Sequence, residues 1–480
     1  MGLNLNLIGL VAAKVGVAEP AMRLLFSVFC GYPIAYIYQK HINGKSPSIQ
    51  NVYFLLTGLY LGYYNYGIDI LHCAVNVLIT YAAMLFLGPT RSSIAVVFTT
   101  TMVYLLYGYL QNTGTDGYDF TFTMPLCVLV LRLIGLTFNY YDGNRDQEKL
   151  SKDMKEAAIK KLPSILEVFG FAFFPTGFLI GPQFPILRYQ NLISGKFNNI
   201  EKAEHPFWKK CIFLGIYGRL IFYKYISIWL IGEGASVMFG SLFVSDDFMI
   251  SDELNEHPFW KKCIFLGIYG RLIFYKYISI WLIGEGASVM FGLGYDGKDK
   301  DGNLKLDKMA NINIKVFENA TNFIHYVDSF NVNTNMWVLT YVYKRLKFMN
   351  NKYISQGAVL LFLAVWHGIH SGYYATFFME FLVVTLEKDI MEMTKRHETF
   401  LEYTSSGLPK AIVYILLKTY TFVFIGYCNG PFSLLTYHKW LRLYRSYYYL
   451  GHIIFVFWPI YRIFFVKYVF PPKRESKKSS

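Results

Sequence analysis

Three polar sets in an otherwise apolar chain have residue types suited to chemistry: the asparagine cluster Asn331-Val332-Asn333-Thr334-Asn335, the basic run Lys344-Arg345-Leu346-Lys347, and the histidines of Trp366-His367-Gly368-Ile369-His370. His367 lies within an apolar run from Gln356 to Leu386. Read as one helix, that run is roughly 45 Å long and crosses a hydrocarbon core of ~30 Å with tilt. His367 then falls about 16 Å in, near mid-depth. A titratable side chain there is costly, and the default reading is functional. An imidazole held without a charged partner in a partly dry chamber stays neutral near pH 7 and can take a proton from a hydroxyl, as acyl transfer to an alcohol requires. An asparagine amide can donate to the developing oxyanion or orient the acyl carbonyl, and the cations can meet the phosphates of a nucleotide-bearing donor.

The same residues have plainer readings. A histidine on an apolar face is often a core residue, and the basic run can be an anchor at the membrane surface. His370, three positions on, sits about 300° around a helix from His367, hence on a neighbouring face. A metal held by this pair is not expected, because i,i+3 histidines need further ligands and Glu380 is more than two turns away. No GxSxG elbow or Ser-His-Asp set is evident, so a covalent serine intermediate is not indicated.

The elements that must position these residues are membrane helices. The chain is 54% hydrophobic and 19% aromatic, with mean hydropathy +0.31, which excludes an ordinary soluble protein. Apolar runs at Met22 to Tyr38, Val52 to Tyr66, Ile70 to Leu87, Ile94 to Leu110, Phe122 to Phe138 and Ile165 to Ile180 precede the site; Ile412 to Tyr427 and Gly451 to Phe470 follow it. The expectation is an all-α polytopic integral membrane protein of roughly 10–12 transmembrane helices around an intramembrane chamber. The formal charge of +14 lies in connections and at the C-terminus. That placement fits loops facing anionic lipid better than a nucleic-acid stripe. The cysteines are mostly isolated in apolar runs and suggest neither a CxxC metal site nor a disulfide framework.

Between these runs, Asn144 to Lys161 is charged and reads as a solvated connector. Residues 204–240 recur unchanged as 256–292, an offset of 52. Ancient repeats diverge, so identity throughout points to a recent exon duplication or an assembly error. Each copy can supply a membrane helix, Cys211 to Ile231 and Cys263 to Ile283, in which Arg219, Lys224, Arg271 and Lys276 must face protein or snorkel. The loop Tyr295 to Lys308 fails as a calcium loop, because Gly297 and Lys308 occupy positions that require carboxylates. Residues 471–480 form a basic tail beyond a single membrane domain, 1–470. Its Lys477 and Lys478 resemble the dilysine retrieval signal of the endoplasmic reticulum and place the C-terminus in the cytosol.

Taken together, Phe330-Asn331-Val332-Asn333-Thr334-Asn335-Met336-Trp337, Lys344-Arg345-Leu346-Lys347-Phe348 and Trp366-His367-Gly368-Ile369-His370-Ser371-Gly372-Tyr373 resemble the membrane-bound O-acyltransferase family, in its lysophosphatidylcholine acyltransferase branch. Phe138-Asn139-Tyr140-Tyr141-Asp142-Gly143 and Gly181-Pro182-Gln183-Phe184 extend the resemblance over most of the chain. The resemblance implies that Asn331 and His367 are the catalytic pair; Asn335, Lys344, Arg345, Lys347 and His370, from the same polar sets, are the expected substrate contacts. The resemblance also implies transfer of a fatty acyl group, polyunsaturated by expectation, from acyl-CoA to the sn-2 hydroxyl of lysophosphatidylcholine or a related lysophospholipid. Acyl-CoA is then a co-substrate, with no cofactor, metal or nucleic acid involved. An acyltransferase acting on a protein or another lipid alcohol is the alternative. A transporter is disfavoured by the lack of a carboxylate-rich midplane pathway or an inverted repeat.

Overall fold

The computed structural model describes residues 7–15, 17–112, 120–197, 244–302 and 304–470. Their regular structure is helical, with a single isolated bridge, Lys298 to Leu304, as the only extended pairing among them. Among the described residues, six stretches are long and apolar enough to cross a membrane: Glu19–Ile42, Pro47–Leu87, Arg91–Asn112, Thr123–Gly143, Phe259–Phe291 and Gly407–Leu434. Large apolar side chains project outward from them, with Phe86 82% and Tyr60 68% exposed. Such surface is stable only against lipid, and the chain is an all-α, multi-pass membrane protein.

Six counts stretches among the described residues: Pro47–Leu87 holds two of the expected helices, Pro47–Tyr66 and Leu71–Leu87, and other apolar runs form short, broken helices. The run Ile165 to Ile180 becomes Ile165–Ala172 and Pro175–Phe178. Gly451 to Phe470 becomes Leu450–Phe455, Trp458–Phe464 and a π-turn at Phe465–Val469. The first repeat copy and the tail with Lys477 and Lys478 lie outside the described residues.

The chain forms two compact units. The first gathers the described residues of Met1–Trp229, Tyr277–Ile312 and Asn331–Asn351; the second gathers those of Leu230–Lys276, Asn313–Phe330 and Lys352–Ser480.

The first unit is built around Thr123–Gly143, whose apolar window is 83% buried. Phe54, Phe174, Tyr189 and Phe291 interlock beside it in edge-on and tilted ring pairs with centroids 4.7 to 6.1 Å apart. The break after Ala172 leaves backbone carbonyls without helical partners, which membrane depth tolerates only if protein groups satisfy them. Arg132 does so. Its buried guanidinium donates to the carbonyls of Phe171 at 3.0 Å and Gly177 at 2.7 Å, and lies over the Phe184 ring.

In the second unit Ser371–Lys395 packs against Gly407–Leu434 and Lys352–His367. The Glu387 carboxylate accepts the Phe323 N–H at 2.9 Å and the Tyr420 hydroxyl at 3.1 Å, docking the start of the Phe323–Ser329 helix. Arg271, from the second repeat copy, faces protein as expected and pairs with Glu318 at 3.2 Å.

Candidate active site

The Lys352–His367 helix ends at the histidine that the sequence places at mid-depth. Gly368, at φ 139°, turns the chain out of helical geometry, His370 is extended at φ −63° and ψ 132°, and a second helix runs Ser371–Lys395. The expectation of one continuous helix from Gln356 to Leu386 is therefore corrected. A residue with φ in that region stops the hydrogen-bond ladder. The 300° relation between His367 and His370 falls with it.

His367 is partly buried among rings. Trp366 lies edge-on at 4.5 Å, Phe432 edge-on at 5.0 Å, Phe377 stacked at 5.6 Å and Tyr373 tilted at 5.6 Å between centroids. No ion pair or hydrogen bond of its imidazole occurs among the described residues. Tyr373 also touches His370 edge-on at 6.1 Å, so one aromatic ring spaces both histidines. The new helix is tied at its start: Trp440 Nε1 donates to Ser371 Oγ at 3.0 Å and the Gly372 N–H donates to the Leu435 carbonyl at 2.8 Å.

In the first unit, Asn331 precedes the Val332–Val338 helix in the left-handed conformation, φ 51° and ψ 42°. Asparagine tolerates that region better than other side chains bearing a Cβ. Its Oδ1 accepts a hydrogen bond from Asn311 Nδ2 at 3.1 Å, and its carbonyl accepts the Asn335 N–H at 3.0 Å. Asn333 Nδ2 donates to the Ala310 carbonyl at 3.0 Å. The asparagine cluster is thus strapped to the segment preceding Ile312.

The basic run belongs to the same unit and is mostly paired. Arg345 forms a fork on Asp142, with Nη1 to Oδ1 at 2.9 Å and Nη2 to Oδ2 at 2.5 Å. Lys344 Nζ meets Asp153 at 2.5 Å, where the Thr340 hydroxyl also donates at 2.6 Å. Burial pushes the Asp153 carboxyl up, but the hydrogen bonds from Lys344 and Thr340 outweigh it and hold it at about 2. Lys347 is exposed, and no ion pair of Lys347 occurs among the described residues. The Asn144 to Lys161 connector is accordingly more than a solvated strand of charge. Its Asp153 anchors the 344–349 turn.

Asn311, Asp142 and Asp153 are the residues that sequence reading missed. Asp142 offered a signal, a carboxylate at the end of an apolar run. Asn311, one of many loop asparagines, offered none. Among the described residues no group of three or more His, Cys, Asp and Glu could hold a metal ion.

The described residues make a multi-pass membrane protein in which a histidine sits at a helix break and an αL asparagine precedes a basic turn. The model of the membrane-bound O-acyltransferase family matches residues 106–429. The chain is 36% identical to the human lysophospholipid acyltransferase 5 over 98% of this chain and 93% of the relative. It is 40% identical to the Drosophila melanogaster protein of the same name over 93% and 88%, and 31% identical to that of Caenorhabditis elegans over 95% and 94%. The chain belongs to the membrane-bound O-acyltransferase family and is an acyltransferase.

Proposed function

We propose that the chain is a lysophospholipid O-acyltransferase that moves an acyl group from acyl-CoA to the free sn-2 hydroxyl of lysophosphatidylcholine and related lysophospholipids, with polyunsaturated acyl-CoA the preferred donor. The observation that carries this reading is the 36% identity to the human lysophospholipid acyltransferase 5 over nearly the whole of both chains. His367 takes the proton of the lysolipid hydroxyl as its oxygen attacks the thioester carbonyl. The C–S bond then breaks, and the proton passes to the departing CoA sulfur. Asn331 donates to the acyl oxygen as negative charge builds there. The ring cage around His367, with no ion pair of its imidazole among the described residues, supports the base role, since the imidazole needs a lone pair available to the hydroxyl.

Asn335 and His370 are assigned to substrate contact. Of the three cations, Lys347 is best suited to a phosphate of the donor, while Lys344 and Arg345 act through the carboxylates they hold. The reaction needs no cofactor. The enzyme resides in the endoplasmic reticulum with its C-terminus in the cytosol, retrieved by Lys477 and Lys478.

A microsomal assay with lysophosphatidylcholine and arachidonoyl-CoA tests this. His367→Ala and Asn331→Ala should each lose on the order of 100-fold or more in turnover at matched expression. Undiminished turnover in His367→Ala removes the base assignment. Failure of the wild type on lysophospholipid, with acylation of a protein or other alcohol, moves the substrate class. Changing Lys477 and Lys478 to Ser should release the protein beyond the endoplasmic reticulum.

A further inference from the structure

Asn311 lies buried, 3% exposed, in the segment leading to Ile312, and its polar groups converge on the asparagine cluster. Its carbonyl accepts the Val332 N–H at 3.0 Å and its Oδ1 accepts the Asn333 N–H at 3.1 Å. On the opposite edge, its Nδ2 donates to Asn331 Oδ1 at 3.1 Å.

These bonds fix which end of each amide is which. A backbone N–H can only donate, so the Asn311 atom facing Asn333 must be oxygen, and the other must be the NH2 group. That NH2 can only donate, so Asn331 must turn its oxygen toward Asn311 and its own NH2 away. An asparagine amide has nearly the same shape in either orientation, and packing alone does not choose between them. Reversed, Asn331 would aim lone pairs at the acyl oxygen and oppose the charge that develops there. We infer that Asn311 is a positioning residue for acyl transfer: from its place between the Asn333 N–H and Asn331 Oδ1, it holds the Asn331 amide with its N–H groups toward the reacting acyl oxygen. The inference rests on the reading of Asn331 as the amide donor.

Asn311→Asp tests it, because aspartate is nearly isosteric and still accepts from the Asn333 N–H but offers an acceptor where Asn331 needs a donor. Asn331 then turns its NH2 toward the introduced carboxylate and its oxygen toward substrate. In full-length protein in microsomes, kcat with arachidonoyl-CoA and lysophosphatidylcholine should fall roughly 10- to 100-fold, with both KM values within about threefold of wild type. The purified variant should still melt cooperatively, so that the loss is read on folded protein, and a loss in kcat at steady KM is the signature that a purely structural role would not give. Wild-type kcat in folded Asn311→Asp overturns the inference. Should that variant fail to accumulate, Asn311→Ala decides: a fall in kcat at steady KM supports the orienting role, and wild-type turnover overturns it. Asn331→Ala in parallel separates the two claims. If it is fully active, the reading of Asn331 itself is removed. If it is inactive while the Asn311 variants turn over normally, only the orienting role is lost.

Discussion

Arg345 grips Asp142 with both ends of its guanidinium fork, although the two residues are separated by 203 positions in the chain. Asp142 is 1% exposed and Arg345 18%, and the guanidinium also lies 4.7 Å from the centroid of the Phe138 ring. One helical turn earlier, the Tyr341 hydroxyl donates to Asn139 Oδ1 at 2.5 Å. Positions 341 and 345 on one side and 139 and 142 on the other are spaced to share a helix face. The segment that follows the asparagine cluster is therefore zipped by polar bonds onto the C-terminal end of the most buried helix in its unit.

Breaking that fork should be expensive. A buried charge left without its partner costs roughly 3–5 kcal/mol, so Arg345→Ala or Asp142→Ala should sharply lower the melting temperature of detergent-solubilised protein. Arg345→Lys should recover only part, since an ammonium cannot bind both carboxylate oxygens in parallel. If Arg345→Ala melts like wild type and instead raises the KM for acyl-CoA, its guanidinium belongs to the substrate rather than to Asp142.

The Lys344–Asp153 pair makes a pH prediction. Asp153 is held at about 2 in the folded protein against an ordinary value of 3.8. A carboxyl depressed by folding contributes stability that is complete above its unfolded value and disappears as pH falls through its folded one. Asp153→Asn should therefore destabilise the protein by a constant amount between about pH 5 and 8. The difference should shrink below about pH 4 and vanish near pH 2. A wild-type to Asp153→Asn difference that grows on acidification would contradict the pairing.

How far these arrangements were legible in the sequence depends on their range. The helices Arg91–Asn112 and Thr123–Gly143 follow from local apolar composition, and both start within a few residues of the runs read from it. The break at Gly368 was written in the residue type, but continuous hydrophobicity on both sides masked it, because apolar composition does not report φ. Arg132, inside an apolar run, and Asp142, just past its end, went unread as charges, and their partners, the Gly177 carbonyl and Arg345, are chosen by topology, which no periodicity encodes. His367 was conspicuous because membrane depth makes a titratable side chain costly, whereas Asn331 was paired with it only through the family resemblance. Asn311, in a loop where asparagine is ordinary, acquires meaning only through its contact with Asn331.

Lys347 separates the two uses of the basic run. If its ammonium meets a phosphate of the donor, Lys347→Glu should raise the KM for acyl-CoA by roughly 3- to 10-fold at low salt and leave kcat unchanged. Added potassium chloride near 0.5 M should erase most of the difference, since exposed charges are screened over a few ångströms there. An unchanged KM at low salt would assign Lys347 to the membrane surface instead.

Gly372 shows how closely the second histidine's neighbourhood is set. A Cβ built there would lie 2.0 Å from the Pro431 carbonyl oxygen and 2.9 Å from that of Leu435, both backbone atoms that cannot swing aside as a side chain would. Gly372→Ala must therefore push the start of the Ser371–Lys395 helix away from the Leu435 turn, stretching the 2.8 Å hydrogen bond between them. Tyr373, which touches both His367 and His370, moves with it. The expected outcome is a loss of about 1–3 kcal/mol in stability from overpacking together with a fall in kcat. Gly357, in the adjoining Lys352–His367 helix, is the control, because an added Cβ there meets nothing within 4 Å. Alanine at 357 should stabilise the helix by up to ~1 kcal/mol and leave turnover intact. If Gly372→Ala and Gly357→Ala behave alike in melting and turnover, the tether between Gly372 and Leu435 does not set the histidine site.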